Sequence, residues 1–153
     1  MEYMGLDILK EEKIIRLGTH EDVVFIAYLW EQMVKESMPE YTPNRLWWEN
    51  MCRNLLSTGI YWIVVAESKG LIVGFIDGFV YPEPSTGMTH LVGQHFYLLP
   101  EYRKSGLGGR LYRTLMKIGK EKGAQKQEFF CFCADQNRWA KKGFQPIRTM
   151  MRR

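Results

Sequence analysis

Along this 153-residue chain the apolar positions change period several times, and each change marks an element. Lys13 to Leu17 alternates, as a short half-buried strand does. Thr19 with Asp22 three residues later has the form of a capping box, opening a helix that runs to about Ser37. Pro39 and Pro43 interrupt. Asn44 to Thr58 then carries Leu46, Trp47, Met51, Leu55 and Leu56 on one helical face, with Gly59 as its stop. Tyr61 to Glu67 and Leu71 to Tyr81 are β-branched and aromatic runs joined by Ser68-Lys69-Gly70, the pattern of an antiparallel hairpin. Both faces of these strands are apolar, so they belong inside a sheet covered by helices on two sides. Pro82 to Gly87 is a turn cluster, and Met88 to Leu99 forms the next strand. Leu107, Leu111, Leu115 and Ile118 share one stripe of a helix that Gly123 ends. Glu128 to Ala134 is a further strand. A short helix near Asn137 to Lys142 leads through Gly143-Phe144 into a last strand, Pro146 to Met151. There is no internal repeat and no low-complexity segment.

Phe96 to Leu115 holds the most specific chemistry, because an apolar strand enters a basic, glycine-rich turn that continues directly as an amphipathic helix. Glycines let the backbone approach a ligand closely, and a helix start presents unpaired N–H groups to an anion. Arg103, Lys104 and Arg110 surround those donors with positive charge. The turn lacks the Gly-Lys-Ser/Thr of a Walker A loop and the Gly-x-Gly-x-x-Gly of a dinucleotide site. It reads Arg103-x-x-Gly106-x-Gly108, preceded by Leu98-Leu99-Pro100-Glu101-Tyr102.

That string resembles the acyl-CoA-binding motif of the GNAT N-acetyltransferase superfamily, and the order of elements matches that family from end to end. The resemblance is sharpest from Phe96 to Phe144. It implies an α/β (α+β) GNAT fold: a central, mixed but mostly antiparallel twisted sheet of six to seven strands, with about four helices on its two faces. It further implies that acetyl-CoA is the cosubstrate and that the acetyl group passes to an amine acceptor, small molecule or protein, by direct attack in a ternary complex. In such a fold the strand before the motif splays at a bulge, which maps backbone pairing with the pantetheine arm to Phe96 and Leu98. The pyrophosphate cradle maps to Arg103, Lys104, Ser105, Gly106, Leu107, Gly108 and Gly109. Asn137 matches a position that often reaches the pantetheine, and it is equally a simple helix N-cap. Many relatives place a tyrosine four residues before the glycine of a Gly-Phe pair, to protonate the leaving thiolate. Here Trp139 stands at that position, and indole cannot do this. Tyr97, Tyr81, a cysteine or water then replaces it, or transfer is slow, or the chain binds CoA without turnover.

Deprotonating an amine whose solution pKa is about 10.4 calls for a base. His90, Gln94 and His95 precede the motif on its strand. Counting by twos from Phe96 sets His90 and Gln94 on its face and His95 on the other, unless a bulge changes the register. Either histidine is a catalytic candidate or a hydrogen-bonded structural residue. Asp77, in the middle of an apolar strand, must be paired or face a cavity, where it binds a cationic substrate or an arginine. Cys131 and Cys133 read as small buried hydrophobes, because two ligands from one strand do not make a metal site; no metal is expected. Trp30, Met33, Tyr41, Trp47 and Trp48 either line an acceptor slot or pack the core.

Length and composition bound the rest. The chain suffices for a single domain, residues 1–153, and 46% apolar content argues against disorder. The three cysteines have no disulfide spacing, and no apolar run has membrane length, so a soluble cytoplasmic protein is expected. A net charge of +4 fits a polyphosphate cosubstrate; a nucleic-acid-binding domain is the less favoured alternative. A homodimer is compatible with the exposed aromatic residues.

Overall fold

The computed structural model describes residues 12–130 and 136–147. Strand β1 (Lys13–Leu17) leads through a 3-10 turn (His20–Asp22) into helices α1 (Val23–Ser37) and α2 (Arg45–Leu56). Strands β2 (Tyr61–Ser68), β3 (Leu71–Pro82) and β4 (Thr89–Leu98) follow, then helix α3 (Leu107–Glu121), strand β5 (Lys126–Phe129) and helix α4 (Gln136–Ala140). The sheet has the order β1-β2-β3-β4-β5, antiparallel throughout except for the parallel pair β4 and β5. It is therefore mixed and mostly antiparallel, as expected, with five strands among the described residues instead of six to seven. The expected last strand is not seen at Pro146 and Ile147, and its remainder lies outside the described residues. The strand expected at Glu128 to Ala134 begins two residues earlier and ends at Phe129; residues 131–135, with Cys131 and Cys133, lie outside the described residues.

Local chemistry accounts for these elements. Asn44 Oδ1 accepts from the Trp47 N–H at 3.0 Å and caps α2. Lys69 and Gly70, at φ of 52° and 75°, form the two-residue hairpin turn that matches strand twist. Alternating residues of the central strands feed two cores. Ile63, Val65 and Phe75 pack with Val23, Ile26, Leu29 and Trp48 beneath α1 and α2. Val64, Ile76 and Leu91 pack with Leu107, Leu111 and Leu115 beneath α3. Each fully buried aliphatic side chain contributes about 1.5–3 kcal/mol, which is why these strands show no polar face. Trp48 and Met33 thus belong to the core, while Trp47 and Tyr41 are exposed.

The start of α1 is fastened to the sheet by charge. Asp22 accepts from Arg16 at 2.7 and 2.9 Å and from the Thr19 backbone and hydroxyl at 2.8 and 3.0 Å, and Arg16 also reaches Glu67 at 2.8 Å. The Arg16 hydrogen bonds hold the Asp22 carboxyl down to about 2, against the desolvation that burial imposes. A carboxylate with a depressed folded pKa adds stability above its ordinary value near 4, and that stability is lost as pH falls toward 2. Asp22→Asn should therefore cost about 1–2 kcal/mol at neutral pH and flatten the acid flank of stability between about pH 4 and pH 2. Urea melts across that range measure both effects.

Candidate functional site

The site is set by one extra residue in β4. Its register against β3 runs Asp77 to His95 but Gly78 to Gly93, so Gln94 is a β-bulge. Gly78 makes the bulge possible: a Cβ there would lie 2.8 Å from the Val92 carbonyl oxygen, which as backbone cannot yield. The bulge reverses side-chain parity. Leu91 before it and Phe96 and Leu98 after it all face α3. His95 and Tyr97 face α1 and α2, and so does His90. The count by twos that grouped His90 and Gln94 with Phe96 is thereby corrected: the inserted residue moves both onto the face that carries His95.

Asp77 closes the bulge. Fully buried, its carboxylate accepts the His95 backbone N–H at 2.7 Å, replacing a ladder bond lost at the bulge. His95 Nδ1 lies 3.0 and 2.9 Å from the two carboxylate oxygens, and the Tyr61 hydroxyl donates to Oδ2. The partners of Asp77 are thus a histidine and a tyrosine, not an arginine. Burial pulls the His95 pKa down, but the charge and hydrogen bond of Asp77 outweigh it and leave the imidazole raised above its usual 6.5. Burial beside Asp77 lifts the Tyr61 phenol well above its ordinary value, so it stays a donor. Cys52, behind Tyr61, is pushed up to about 12 by burial and Asp77 and is inert as a nucleophile. With Nδ1 committed to Asp77, the Nε2 of His95 remains to accept a proton, and the side chain is one-quarter exposed. Trp48 and Phe75 fix the ring edge-on and tilted, at 6.2 and 6.4 Å.

Beyond the bulge β4 loses its neighbour. The pairing with β5 covers His90 to Gly93, with a last bond from the Phe130 N–H to the Gly93 carbonyl at 3.0 Å. Among the described residues no strand pairs with the outer edge of Gln94–Leu98, where Phe96 and Leu98 lie. That edge runs into the motif turn. Gly106 sits at φ 83°, a left-handed conformation that favours glycine, and starts α3. The first-turn N–H groups of Gly108 and Gly109 have no acceptor within the helix. Ser105 Oγ takes the Leu107 N–H at 3.3 Å, and the buried Leu107 side chain anchors the turn to the core beneath α3. Lys104 is exposed beside it.

Arg103 behaves differently from the other motif residues. Its guanidinium pairs with Glu36 at the end of α1, at 2.7 and 2.8 Å, and its Nε donates to the Leu98 carbonyl at 2.9 Å. The Tyr97 hydroxyl donates to the same Glu36 at 3.1 Å, and Arg103 lies 5.4 Å over the Tyr97 ring. The hydrogen bond from Arg103 holds the Glu36 carboxyl below its usual range. Tyr97 is thereby bound to α1, two residues from His95. A cleft of about 550 Å³ opens there between α1 and the turn after β4.

Trp139 is buried in an aromatic cluster on the α3 face, stacked 4.6 Å from Phe129 and 6.3 Å from Phe96. Tyr112 supplies a hydroxyl to this cluster, its ring 6.1 Å from that of Trp139, and burial raises its pKa. Asn137 falls within α4, and its side chain lies outside the described residues. His90 is buried with Nδ1 3.5 Å from Glu128, away from the Asp77 and His95 pair. Tyr61, Cys52 and Glu36 are the participants that sequence reasoning missed. None carries a motif, and each enters through a contact across the fold.

The chain belongs to the acetyltransferase (GNAT) family, whose sequence model matches residues 24–145, and this makes it an acyltransferase by class. No curated protein matches it by sequence. Among solved structures it is similar to a GCN5-related N-acetyltransferase from Ralstonia eutropha JMP134, at 19% identity and a TM-score of 0.76, over 93% of this chain and 98% of that one. Glucosamine-6-phosphate N-acetyltransferase from Arabidopsis thaliana matches at 17% identity and 0.74, over 94% and 98%. An aminoglycoside N-acetyltransferase in complex with CoA matches at 17% and 0.74, over 94% and 95%. At such identities the likeness establishes the fold. Among the described residues no helix is long and apolar enough to cross a membrane.

Proposed function

We propose that this chain, as one domain over residues 1–153, is an acetyl-CoA-dependent N-acetyltransferase that uses His95 as general base. The observation that carries the reading is the bulge at Gln94: there β4 parts from β5, and the open edge has the His95 and Asp77 pair at one end and the start of α3 at the other. The residues present suit the cosubstrate. The open edge of Phe96 and Leu98 offers backbone groups to an amide-bearing arm. The amides of Gly108 and Gly109, with Lys104 and Arg110 nearby, suit a diphosphate. Bound there, acetyl-CoA supplies an electrophilic thioester carbonyl carbon and a thiolate leaving group.

The chain's own residues handle the proton. Asp77, anchored by Tyr61, holds His95 with Nδ1–H toward the carboxylate, so the Nε2 lone pair takes the proton of the attacking amine. The charge that then develops on the imidazole is stabilised by the same carboxylate. Holding the amine in line with the carbonyl supplies much of the remaining rate. The support for this reading is geometric, and the experiment is direct. Calorimetric titration with acetyl-CoA should give a saturable heat, and an amine panel should release free thiol. Absence of heat at millimolar cosubstrate would sink the assignment.

One observation favours a second reading, CoA binding without turnover. At the position where many relatives carry a tyrosine, Trp139 is packed among Phe129, Phe144 and Phe96 and offers no acidic hydroxyl to a thiolate. Saturable heat with no thiol release from any amine would select it.

A further inference from the structure

We infer that Arg113, in the second turn of α3, binds the diphosphate of the acyl carrier together with the Gly109 amide, in the place that charge alone would give to Arg103. This rests on the proposed acyl transfer and deepens it, by assigning a cosubstrate ligand outside the Arg103-x-x-Gly106-x-Gly108 string.

The motif turn has fewer available cations than its sequence suggests. Arg103 is neutralised by Glu36 at 2.7 and 2.8 Å, and Arg110 turns toward β1, where Nη1 donates to the Lys13 carbonyl at 3.2 Å. Arg113 is uncommitted. It is exposed, and among the described residues it pairs with no carboxylate and donates to no carbonyl or hydroxyl. Its guanidinium nevertheless has a defined place, lying back along α3 over Gly109, where an added Cβ would stand 3.1 Å from Nη1 and 3.8 Å from Cζ. Long helical side chains lean toward the N-terminus and meet the residue four earlier, so helix geometry directs Arg113 there.

Gly109 leaves the room. Its φ is not left-handed, and the three atoms nearest to its missing Cβ all belong to Arg113, although glycine inside a helix is destabilising relative to alanine. Neither the turn nor the core therefore demands a glycine at this position. The distances let one phosphate oxygen be shared. N and Cβ of one residue are about 2.5 Å apart, so Nη1 lies within about 6 Å of the Gly109 amide nitrogen. An oxygen between them accepts from both, each hydrogen bond being about 2.8–3.0 Å long. Without an anion this arrangement is unfavourable, because the positive end of the helix dipole repels a guanidinium and Lys104 adds another cation beside the turn. A diphosphate reverses the sign.

Calorimetry on the full chain tests this apart from catalysis. CoA and 3′-dephospho-CoA are titrated into the parent, Arg113→Gln and Lys117→Gln. Lys117 is exposed one turn further along α3 and pairs with Glu121 at 4.0 Å, so it reports the loss of a more distant charge. Removing an exposed, unpaired side chain at Arg113 leaves folding intact. Arg113→Gln should weaken both carriers about tenfold or more, the range of a charge-assisted hydrogen bond, and Lys117→Gln by less than about twofold. Undiminished affinity in Arg113→Gln, or equal losses in the two variants, would overturn the inference while leaving the carrier site in place. A loss seen with CoA and absent with dephospho-CoA would also overturn it, by moving Arg113 to the ribose phosphate. No heat from either carrier in the parent protein would instead remove the acyl-carrier reading, and this inference with it.

Discussion

Asp77→Asn should lower kcat/KM for amine acetylation by a factor of roughly 100 to 10,000, the usual range for a general base, while acetyl-CoA affinity stays within about twofold. An amide at that position cannot stabilise an imidazolium, and the NH2 group that it offers to His95 Nδ1 favours the wrong tautomer. The pH profile carries the sharper signature. A base works in its neutral form, so with His95 in the proposed role kcat/KM should rise with pH through the His95 pKa, which Asp77 holds above the usual 6.5. Removing the carboxylate should move that acid limb to lower pH, because burial then acts on His95 unopposed. His95→Gln should abolish the limb altogether. A limb left in place by both substitutions would exclude this histidine as the base. Stability must be measured alongside, since Asp77 also ties the bulge together and Tyr61 would lose its acceptor.

The second large effect is expected at the start of α3. Gly108→Leu should leave the unliganded protein as stable as before or slightly more so, since glycine inside a helix costs about 1 kcal/mol relative to better helix formers. A Cβ at this position meets only the ring edge of Phe96, at 3.5 Å, which is ordinary contact. The branched side chain would instead stand over the first-turn amides proposed to take the diphosphate. Saturating acetyl-CoA, worth about 2.7 kcal/mol at a hundred times its dissociation constant, should raise the melting temperature of the parent and not of the variant. An undiminished shift would show that the diphosphate lies elsewhere. Gly106 is less informative to alter, because its φ of 83° makes any substitution a backbone lesion first.

Arg103 shows how a motif can be read correctly as a pattern while the work of one side chain stays hidden. Its spacing from Gly106 and Gly108 marks the turn, and charge alone places it among the phosphate ligands. In the fold it is held by Glu36, 67 residues away, and by the Leu98 carbonyl. The carboxylate satisfies the guanidinium through two short contacts, so in this structure Arg103 joins the motif turn to α1.

Asp77 and Tyr61 show the same limit in the sheet. A carboxylate in an apolar strand announces that it needs partners, yet not which. The two-residue turn pairs Ser68 with Leu71, and that register carried straight on would put Trp62 opposite Asp77. A bulge between Ala66 and Glu67 shifts the pairing to Ile63 and brings Tyr61 to a diagonal position on the same face. Neither bulge leaves a signal in the local periodicity.

What could be read from the residues alone was therefore whatever depends on near neighbours: the order of strands and helices, the hairpin, the caps and the glycine turn before α3. These follow from backbone sterics and from apolar period, which act over a few positions. The face of each histidine, the partners of Asp77 and the tether on Arg103 depended on how strands were brought into register. A single inserted residue in a strand turns every following side chain to the opposite side, and the force that favours the insertion comes from packing and hydrogen bonds across the sheet, between residues distant in the chain.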